Sequence, residues 1–286
     1  MSNSIPSERF HFSIDTLSLI RKYDGSTFVI KYGGSAMKSK SLQLNVIYDI
    51  AFLYSLGIKI ILVHGGGYLI DNWLMKLNIK PKFEEGLRVT DANTMEVVEM
   101  VLSGNVNKNL VSLLNQYNIS ALGLSGKDAN LVTASPISQK INDFTGNVDH
   151  INSEVLRNLL DNSFLPVVAS IACNLKGQTY NINADTLASS IASYIKADKL
   201  ILLTDVPGIL SNIHDNSSLI KYLDLNGIYD LKARGVITDG MIPKIDCCIN
   251  SLNNDVEAVH IIDGRVRYSL LYELLTSDRL GSMLVA

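Results

Sequence analysis

Short, continuous runs of apolar residues alternate with longer segments of helical periodicity along most of this chain. The runs are rich in Val, Ile and Leu and occupy residues 27–32, 59–63, 119–124, 165–169, 200–204 and 258–262. Such runs are typical of strands that are buried on both faces of a parallel sheet. Parallel neighbours need crossover connections, which the helical segments provide. The alternation therefore predicts an α/β protein with a mostly parallel sheet covered by helices.

Composition excludes several classes of protein. The 286 residues are 47% hydrophobic and 19% charged, with 25 basic and 28 acidic side chains. This is too apolar for a disordered chain, its apolar runs are far shorter than the roughly 18 residues of a membrane span, and it lacks the basic excess of a nucleic-acid binder. The three cysteines form neither a disulfide framework nor a metal-ligand spacing. We expect no targeting segment and a reducing compartment, either cytoplasm or plastid stroma.

The first predicted strand ends in a lysine that is followed by two glycines, Lys31, Gly33 and Gly34. Ligands bind beyond the carboxyl ends of strands in open α/β sheets. Backbone amides without a neighbouring Cβ suit phosphate oxygens, and an ammonium group beside them suits a transferring charge. A strand-ending turn with an incidental lysine is the alternative.

The second predicted strand ends at His64 and is followed by Gly65, Gly66 and Gly67, which precede a helical segment. Three glycines before a helix predict an anion cradle at its positive end. The dinucleotide-binding fingerprint requires a glycine where Ile70 stands, which disfavours a nicotinamide enzyme. A flexible tight turn is the alternative, and His64 alone is more typical of a structural histidine than of a catalyst.

Polar residues mark two further loops. Arg88 is a candidate to bind a carboxylate through its planar guanidinium, although such arginines often form surface ion pairs. Asn181, Asn183 and Asp185 alternate along the chain and point the same way if the segment is extended. That arrangement suits a carboxylate that orients cations or holds a metal, and Asp185 as a helix cap is the alternative.

The fifth predicted strand is followed by Asp205 and Gly208, and a late helix begins near Lys244. A cation in the first helical turn opposes the helix dipole, so we expect Lys244 to serve a ligand. A tolerated surface lysine is the alternative.

Taken together and in this order, these segments resemble the amino acid kinase family. They read K-Y-G-G, V-H-G-G-G, G-L-R-V-T-D, N-I-N-A-D, L-T-D-V-P-G-I-L and D-G-M-I-P-K. G-L-R-V-T-D and N-I-N-A-D resemble the branch that phosphorylates N-acetyl-L-glutamate in arginine biosynthesis. The resemblance implies a three-layer αβα sandwich with a mostly parallel open sheet. Its N-terminal lobe, residues 26–188, is expected to bind N-acetyl-L-glutamate, and its C-terminal lobe, residues 189–286, to bind ATP with Mg²⁺.

The resemblance also implies a role for each residue. Lys31 and Lys244 stabilise charge on the transferring phosphoryl group, and Asp185 orients both lysines. No side chain is expected to hold a metal, because Mg²⁺ is held mainly by the nucleotide phosphates. The remaining assignments are Gly66, Gly67, Arg88 and Asn181 for the acceptor, and Gly33, Gly34, Gly65, Asp205 and Gly208 for the phosphates and nucleotide.

Residues outside these motifs imply regulation. An apolar stripe over residues 12–23 predicts a helix within an N-terminal segment, residues 1–25. The resemblance implies that this segment joins dimers into a hexamer, a trimer of dimers, and that L-arginine inhibits at a site with His260, Glu273 and Arg279. Arg279 stands where a glycine is expected, which predicts weakened inhibition. The resemblance alone, and no residue of the sequence, adds the PII signalling protein as a partner.

Two alternatives of other kinds stay open. A catalytically idle relative that senses metabolites is disfavoured by the presence of Lys31, Asp185 and Lys244. Another small-carboxylate kinase of the same fold is disfavoured by Arg88 and Asn181.

Overall fold

The computed structural model describes residues 14–84, 86–138, 140, 142–238 and 240–286. The predicted strands all form, and their ends lie within two residues of the expected positions. The strands are β1 (Thr27–Tyr32), β2 (Lys59–His64), β3 (Phe83–Glu84), β4 (Leu87–Arg88), β5 (Ala121–Ser125), β6 (Val132–Pro136), β7 (Thr145–Ile151), β8 (Leu165–Ala169), β9 (Ile171–Cys173), β10 (Thr179–Ile182), β11 (Lys199–Thr204), β12 (Tyr222–Asp224), β13 (Ala258–Asp263) and β14 (Ser282–Val285).

An eight-stranded sheet forms the centre of the fold in the described residues. Its strand order is β12-β14-β13-β11-β1-β2-β8-β5, and the pair β13–β14 is antiparallel while the other pairs are parallel. The central strand β1 is paired on both sides, with Val29 opposite Leu200 on β11 and Ile61 on β2. The expected mostly parallel sheet is thus confirmed.

Helices cover both faces of this sheet. Side chains alternate along β1, so that Phe28 and Ile30 join one core and Val29 joins the other. The helices are α1 (Ile14–Tyr23), α2 (Lys40–Ser55), α3 (Gly67–Lys76), α4 (Ala92–Glu99), α5 (Asn107–Asn115), α6 (Ser153–Asp161), α7 (Ala184–Ile195), α8 (Leu225–Ala233), α9 (Met241–Asn253) and α10 (Ser269–Leu275). The first core includes residues of α2, α4, α5 and α10, and the second includes residues of α6, α7, α8 and α9. This is the three-layer sandwich that the family resemblance implies, and no helix of the described residues is long and apolar enough to cross a membrane.

A small closed barrel lies beside the large sheet and was not predicted. It contains β6, β7, β9 and β10 in the order β10-β7-β6-β9. β9 and β10 are short, and β6 and β7 mix exposed with buried positions, so their sequence lacks the continuous apolar signal of the large sheet. The barrel delivers β10 directly to the start of α7.

Two local sequence patterns predict something other than what the structure has. The helical periodicity of residues 91–117 predicts a single helix, but a π-helical segment, Met100–Val106, separates α4 from α5. Ser153 followed by Glu154 predicts a serine cap, but Ser153 is the first residue of α6, and Asn152 holds the cap position without a side-chain hydrogen bond.

The structure agrees with the predicted N-terminal helix but not with a lobe boundary at residues 188 and 189. α1 covers the C-terminal part of the helix expected over residues 12–23, and residues 1–13 lie outside the described part of the chain. The boundary expected between residues 188 and 189 falls inside α7, and the large sheet continues from β1 into β11 without interruption. The division into two lobes stays a prediction.

A buried carboxylate connects α2 to α10. Asp49 is 2% exposed, and its Oδ2 accepts a hydrogen bond of 3.2 Å from the backbone N–H of Leu270. Burial raises the pKa of Asp49 to about 8, against the opposing effects of the Leu270 hydrogen bond and the Arg267 charge. The side chain is therefore largely protonated at neutral pH.

We expect Asp49→Asn to gain stability over the parent protein as pH rises from about 5 to about 8. The folded parent holds the Asp49 proton more tightly than the unfolded chain, so its free energy of unfolding falls as pH rises between the ordinary value of 3.8 and about 8. A neutral amide removes that cost and still accepts from Leu270. Urea unfolding at several pH values measures the difference. Asp255→Asn is the control, because Asp255 forms an exposed ion pair with Lys196 on the surface. Parallel pH curves for the parent and Asp49→Asn would contradict the expectation.

Candidate active site

Three charged side chains meet beyond the carboxyl end of β1. Asp185 Oδ1 lies 3.0 Å from Lys31 Nζ, and Asp185 Oδ2 lies 2.6 Å from Lys244 Nζ. The three side chains are only 12–16% exposed. Burial alone would raise the pKa of Asp185, but the two lysines lower it well below its ordinary value. An ionised carboxylate thus holds two ammonium groups from distant parts of the chain at one point.

The start of α7 places Asp185. Asn183 is the N-cap, and its Oδ1 accepts from the backbone N–H groups of Asp185 at 2.8 Å and Thr186 at 3.2 Å. The expected extended alternation therefore ends at Asn183, and the alternative in which Asp185 caps the helix is wrong. Asn181 remains in β10, where its Nδ2 donates to Thr90 Oγ1 at 3.0 Å.

The two glycine turns face each other beside Lys31. A Cβ placed on Gly33 would lie 3.2 Å from Lys31 Nζ and 4.0 Å from the backbone nitrogen of Gly65. Gly66 is the N-cap of α3 and makes no side-chain cap, so the first N–H groups of this helix are available to a bound anion. A Cβ on Gly66 would lie 2.7 Å from Leu102 Cδ2. The close approach explains why a glycine is needed here.

Arg88 is a buried residue of the site, which excludes the surface ion pair that was its alternative. Its Nη1 lies 2.7 Å from Asp71 Oδ1, its Nη2 lies 3.4 Å from the Gly67 carbonyl oxygen, and the guanidinium stacks 4.7 Å from the Phe83 ring centre. Thr145 Oγ1 donates to the Arg88 carbonyl at 2.8 Å. Sequence reasoning missed Asp71 and Phe83, although Asp71 stands one helical turn after Gly67 on α3.

A cavity of about 200 Å³ contains the predicted acceptor residues. Polar groups converge on it from β1, β10 and the two glycine turns, and Arg88 closes one side. Its lining includes Lys31, Gly33, Gly34, Gly65, Gly66, Gly67, Arg88, Asn181 and Asn183. The size and the cationic wall suit a small carboxylate.

A second cavity, of about 350 Å³, lies on the other side of Asp185. Lys244 lines it together with Asp205 and Gly208. Gly208 has a φ of +149°, and a Cβ there would lie 2.6 Å from Ser282 Oγ. The rest of the wall is largely apolar, with Val206, Ile209, Leu210, Ile213, Val236, Ile237 and Met241. An apolar slot beside a lysine suits an aromatic base and its phosphates.

The described residues contain no cluster of three or more His, Cys, Asp or Glu side chains that could hold a metal ion. Both oxygens of Asp185 are engaged by lysines.

Comparison with known proteins decides the family. Residues 26–263 match the amino acid kinase family. The chain belongs to the amino acid kinase family. It is 54% identical over 280 residues to the acetylglutamate kinase of Gracilaria tenuistipitata var. liui, covering 97% of this chain and 98% of that protein. It is 48% identical to the acetylglutamate kinase of Trichodesmium erythraeum, covering 100% of this chain and 98% of the relative.

A solved structure agrees with this assignment. The N-acetylglutamate synthase of Neisseria gonorrhoeae, in complex with coenzyme A and N-acetyl-glutamate, superposes with a TM-score of 0.84 at 25% identity. The superposition covers 95% of this chain and 62% of that one. Because its curated relatives are acetylglutamate kinases, this amino acid kinase is a phosphotransferase, and the two cavities and the Lys31–Asp185–Lys244 bridge between them are its candidate active site.

The residues expected to bind L-arginine lie elsewhere in this amino acid kinase. His260 and Ile262 on β13 face the core that contains α10, on the opposite side of the sheet from Lys31. His260 Nδ1 lies 2.8 Å from Glu273 Oε1, and Glu273 Oε2 accepts from the backbone N–H groups of residues 280 and 281. Arg279 is close enough to oppose protonation of His260 electrostatically, although burial is the larger cause of its lowered pKa.

Replacing Asp185 by Asn should lower the free energy of unfolding by about 3 kcal/mol, because it leaves two largely buried ammonium groups without their counter-charge. Chemical unfolding at neutral pH measures the loss. Asp161→Asn is the matched control, since Asp161 pairs with Lys59 at 2.7 Å but is 64% exposed, and its loss should cost less than about 1 kcal/mol. Equal losses in both variants would contradict the importance of the buried bridge.

Proposed function

We propose that this chain transfers the γ-phosphoryl group of MgATP to the γ-carboxylate of N-acetyl-L-glutamate. The observation that carries the proposal is the Lys31–Asp185–Lys244 bridge, which joins a carboxylate-sized cavity to a slot suited to a nucleotide. Relatives that share about half of its residues over nearly the whole chain carry the name acetylglutamate kinase. The expected product is N-acetyl-L-glutamyl 5-phosphate in arginine biosynthesis.

Arg88 and Asn181 bind the α-carboxylate of the acceptor. Asp71 already holds one end of the Arg88 guanidinium, whereas Nη2 makes only a long contact to Gly67 and is available to a carboxylate oxygen. The Phe83 ring and the half-buried Asp71 keep the guanidinium plane in place. This grip orients the acceptor with its side chain toward the glycine turns and Lys31.

The transfer needs positioning and charge neutralisation more than proton transfer. A γ-carboxylate has a pKa near 4 and is already an anion at neutral pH, so it attacks without a general base. The new bond forms between a carboxylate oxygen and the γ-phosphorus as the bond to the β,γ-bridging oxygen breaks, and ADP leaves. Lys31 and Lys244 stabilise the phosphoryl charge from the two sides, and the backbone amides of the glycine turns bind its oxygens.

A coupled assay of ADP release tests the proposal against the alternatives. N-acetyl-L-glutamate should be the preferred acceptor among N-acetyl-L-glutamate, glutamate, aspartate and carbamate. Free glutamate should be poor, because its α-ammonium would lose its water where an amide is expected. Equal kcat/KM for glutamate and its acetylated form would overturn the assignment, and no turnover of any acceptor would favour a metabolite sensor.

Lysine variants show whether the measured activity comes from this site. Lys31→Ala and Lys244→Ala should each lower kcat by about 10² or more, the loss typical of one donor to a developing charge. Lys59→Ala is the control, because Lys59 only pairs with Asp161 on the surface. Normal turnover with reduced substrate affinity alone in the two site variants would contradict their roles.

The site with His260, Glu273 and Arg279 is proposed to bind L-arginine as a weak inhibitor, in a hexamer. Both Glu273 oxygens already have partners, His260 and two backbone N–H groups, so an incoming guanidinium must compete for them. The cation of Arg279 adds repulsion between like charges. These two effects weaken the affinity for arginine.

Arg279→Gly should strengthen inhibition by L-arginine about tenfold, because it removes the repelling charge. Arg279→Lys keeps the charge and should stay weakly inhibited. Dose–response curves measure the change, and light scattering on the same samples reports the oligomer. A full-length protein that is a dimer and ignores millimolar arginine in all three forms would overturn the proposal.

A further inference from the structure

A buried histidine touches the glycine turn from behind. His64 is the last residue of β2 and is fully buried. Its Nδ1 lies 3.0 Å from the Gly65 carbonyl oxygen, and its Nε2 lies 3.0 Å from Asn107 Nδ2. A carbonyl oxygen only accepts and an amide nitrogen only donates, so the proton must be on Nδ1 and the lone pair on Nε2.

The imidazole is neutral, and this makes the choice of tautomer matter. Burial lowers the pKa of His64 to about 4, with the Gly65 hydrogen bond opposing and the Lys108 charge assisting. A neutral ring carries one N–H, and a different tautomer would turn a lone pair toward the Gly65 oxygen. The hydrogen bond to Gly65 therefore depends on whether the group next to Nε2 is a donor, which keeps the proton on Nδ1.

The orientation of the Asn107 amide is itself fixed. The two hydrogens of its Nδ2 serve His64 Nε2 and the Val167 carbonyl at 2.8 Å, and the Leu124 carbonyl oxygen lies 3.3 Å from the same nitrogen. Rotating the amide by half a turn would place Oδ1 against these two oxygens. On the other side, a Cβ on Gly123 would lie 2.0 Å from Oδ1, so the position of Asn107 requires the glycine in β5.

The π-helical segment brings Asn107 to His64. Asn107 is the first residue of α5, directly after Met100–Val106. Two side chains of that segment, Leu102 and Val106, contact the Cα side of Gly66, with distances of 2.7 and 3.1 Å to a Cβ built there. One irregular stretch of helix thus packs on the glycine turn and supplies the donor to His64, and π segments often occur at functional sites.

The hydrogen bond from His64 sets the plane of the Gly65–Gly66 peptide. In a trans peptide the carbonyl and the following N–H point in opposite directions, and the described chain has no cis peptide bond. Holding the Gly65 oxygen toward His64 therefore turns the Gly66 N–H away from it. The other side of Gly65 is anchored by its N–H, which donates to the Tyr32 carbonyl at 3.1 Å.

We infer that Asn107 and His64 are positioning residues for phosphoryl transfer. Asn107 selects the Nδ1–H tautomer of His64, and His64 orients the Gly65–Gly66 peptide so that the Gly66 N–H is directed at the transferring group. Neither side chain touches substrate. The inference rests on the proposed function for the identity of the reaction, while the hydrogen-bond chain is independent of it.

Nitrogen-15 NMR of the histidine rings tests the first step without any turnover. The His64 signal, assigned by its loss in His64→Gln, should show Nδ1–H in the parent protein. In Asn107→Leu the Nε2–H form should gain population, because the donor to Nε2 is gone. Asn115→Leu is the matched control on the same helix, since Asn115 Oδ1 only accepts from Ala121 N–H at 3.0 Å. An Nε2–H tautomer in the parent would overturn the inference.

Steady-state kinetics test the second step. Asn107→Leu should lower kcat about tenfold, part of the loss expected for removing one backbone donor, with KM for ATP unchanged and with Asn115→Leu at the parent rate. In a His64→Leu background, Asn107→Leu should cause no further loss, because the chain is already broken. Additive losses, or a normal kcat in Asn107→Leu, would overturn the inference.

Further comparisons distinguish a failure of this inference from a failure of the proposed function or a variant that does not fold. The serine side chain of Asn107→Ser is too short to reach His64. If Asn107→Leu does not fold, Asn107→Ser should show the same change of tautomer and the same loss of kcat. Absence of turnover in the parent protein would refute the proposed function and leave the tautomer measurement to decide the hydrogen-bond chain. An active parent with an unaltered Asn107→Leu variant would refute the inference alone.

Discussion

The arrangement of this protein depends on one carboxylate placed between two ammonium groups. Lys31 and Lys244 come from opposite halves of the chain, and without Asp185 their charges would repel at close range. Asp185 can hold them because Asn183 starts α7 at the right residue and because α7 packs against β1. The pair of cations that neutralises a phosphoryl group is thus assembled before any substrate arrives, which is the preorganisation that electrostatic catalysis requires.

The groups around the acceptor cavity are also held in place before a ligand binds, with fewer charged partners. Arg88 is kept in place by Asp71 and Phe83, and its backbone carbonyl by Thr145 and Thr90. Behind the glycine turn, a neutral His64 and Asn107 provide the support. Each group that faces a ligand therefore has a partner on its far side, and side-chain entropy is removed in folding instead of in binding.

Much of the fold and site could be predicted from the sequence, for identifiable reasons. The strands of the large sheet are buried on both faces, so runs such as residues 59–63 are continuously apolar. Chemistry follows strand ends, so Lys31, the glycines and Asp205 stand out in the sequence. The barrel gives no such signal, because β6 and β7 mix exposed and buried positions without a continuous apolar run. Asp71 and Asn107 also escaped, since their partners are distant in sequence and only the fold brings them together.

The continuity of the large sheet limits how this enzyme can open. β1 carries Lys31 and pairs residue by residue with β11, which leads to the loop of Asp205. That row of hydrogen bonds joins the strands that lead to the two cavities, so relative movement of the cavities has to bend or twist the sheet. Passage of ligands then falls to elements outside the sheet, above all the β3–β4 hairpin, which pairs with no other strand of the described chain. The hairpin lines the acceptor cavity, so it can move there without breaking a strand pair of the large sheet.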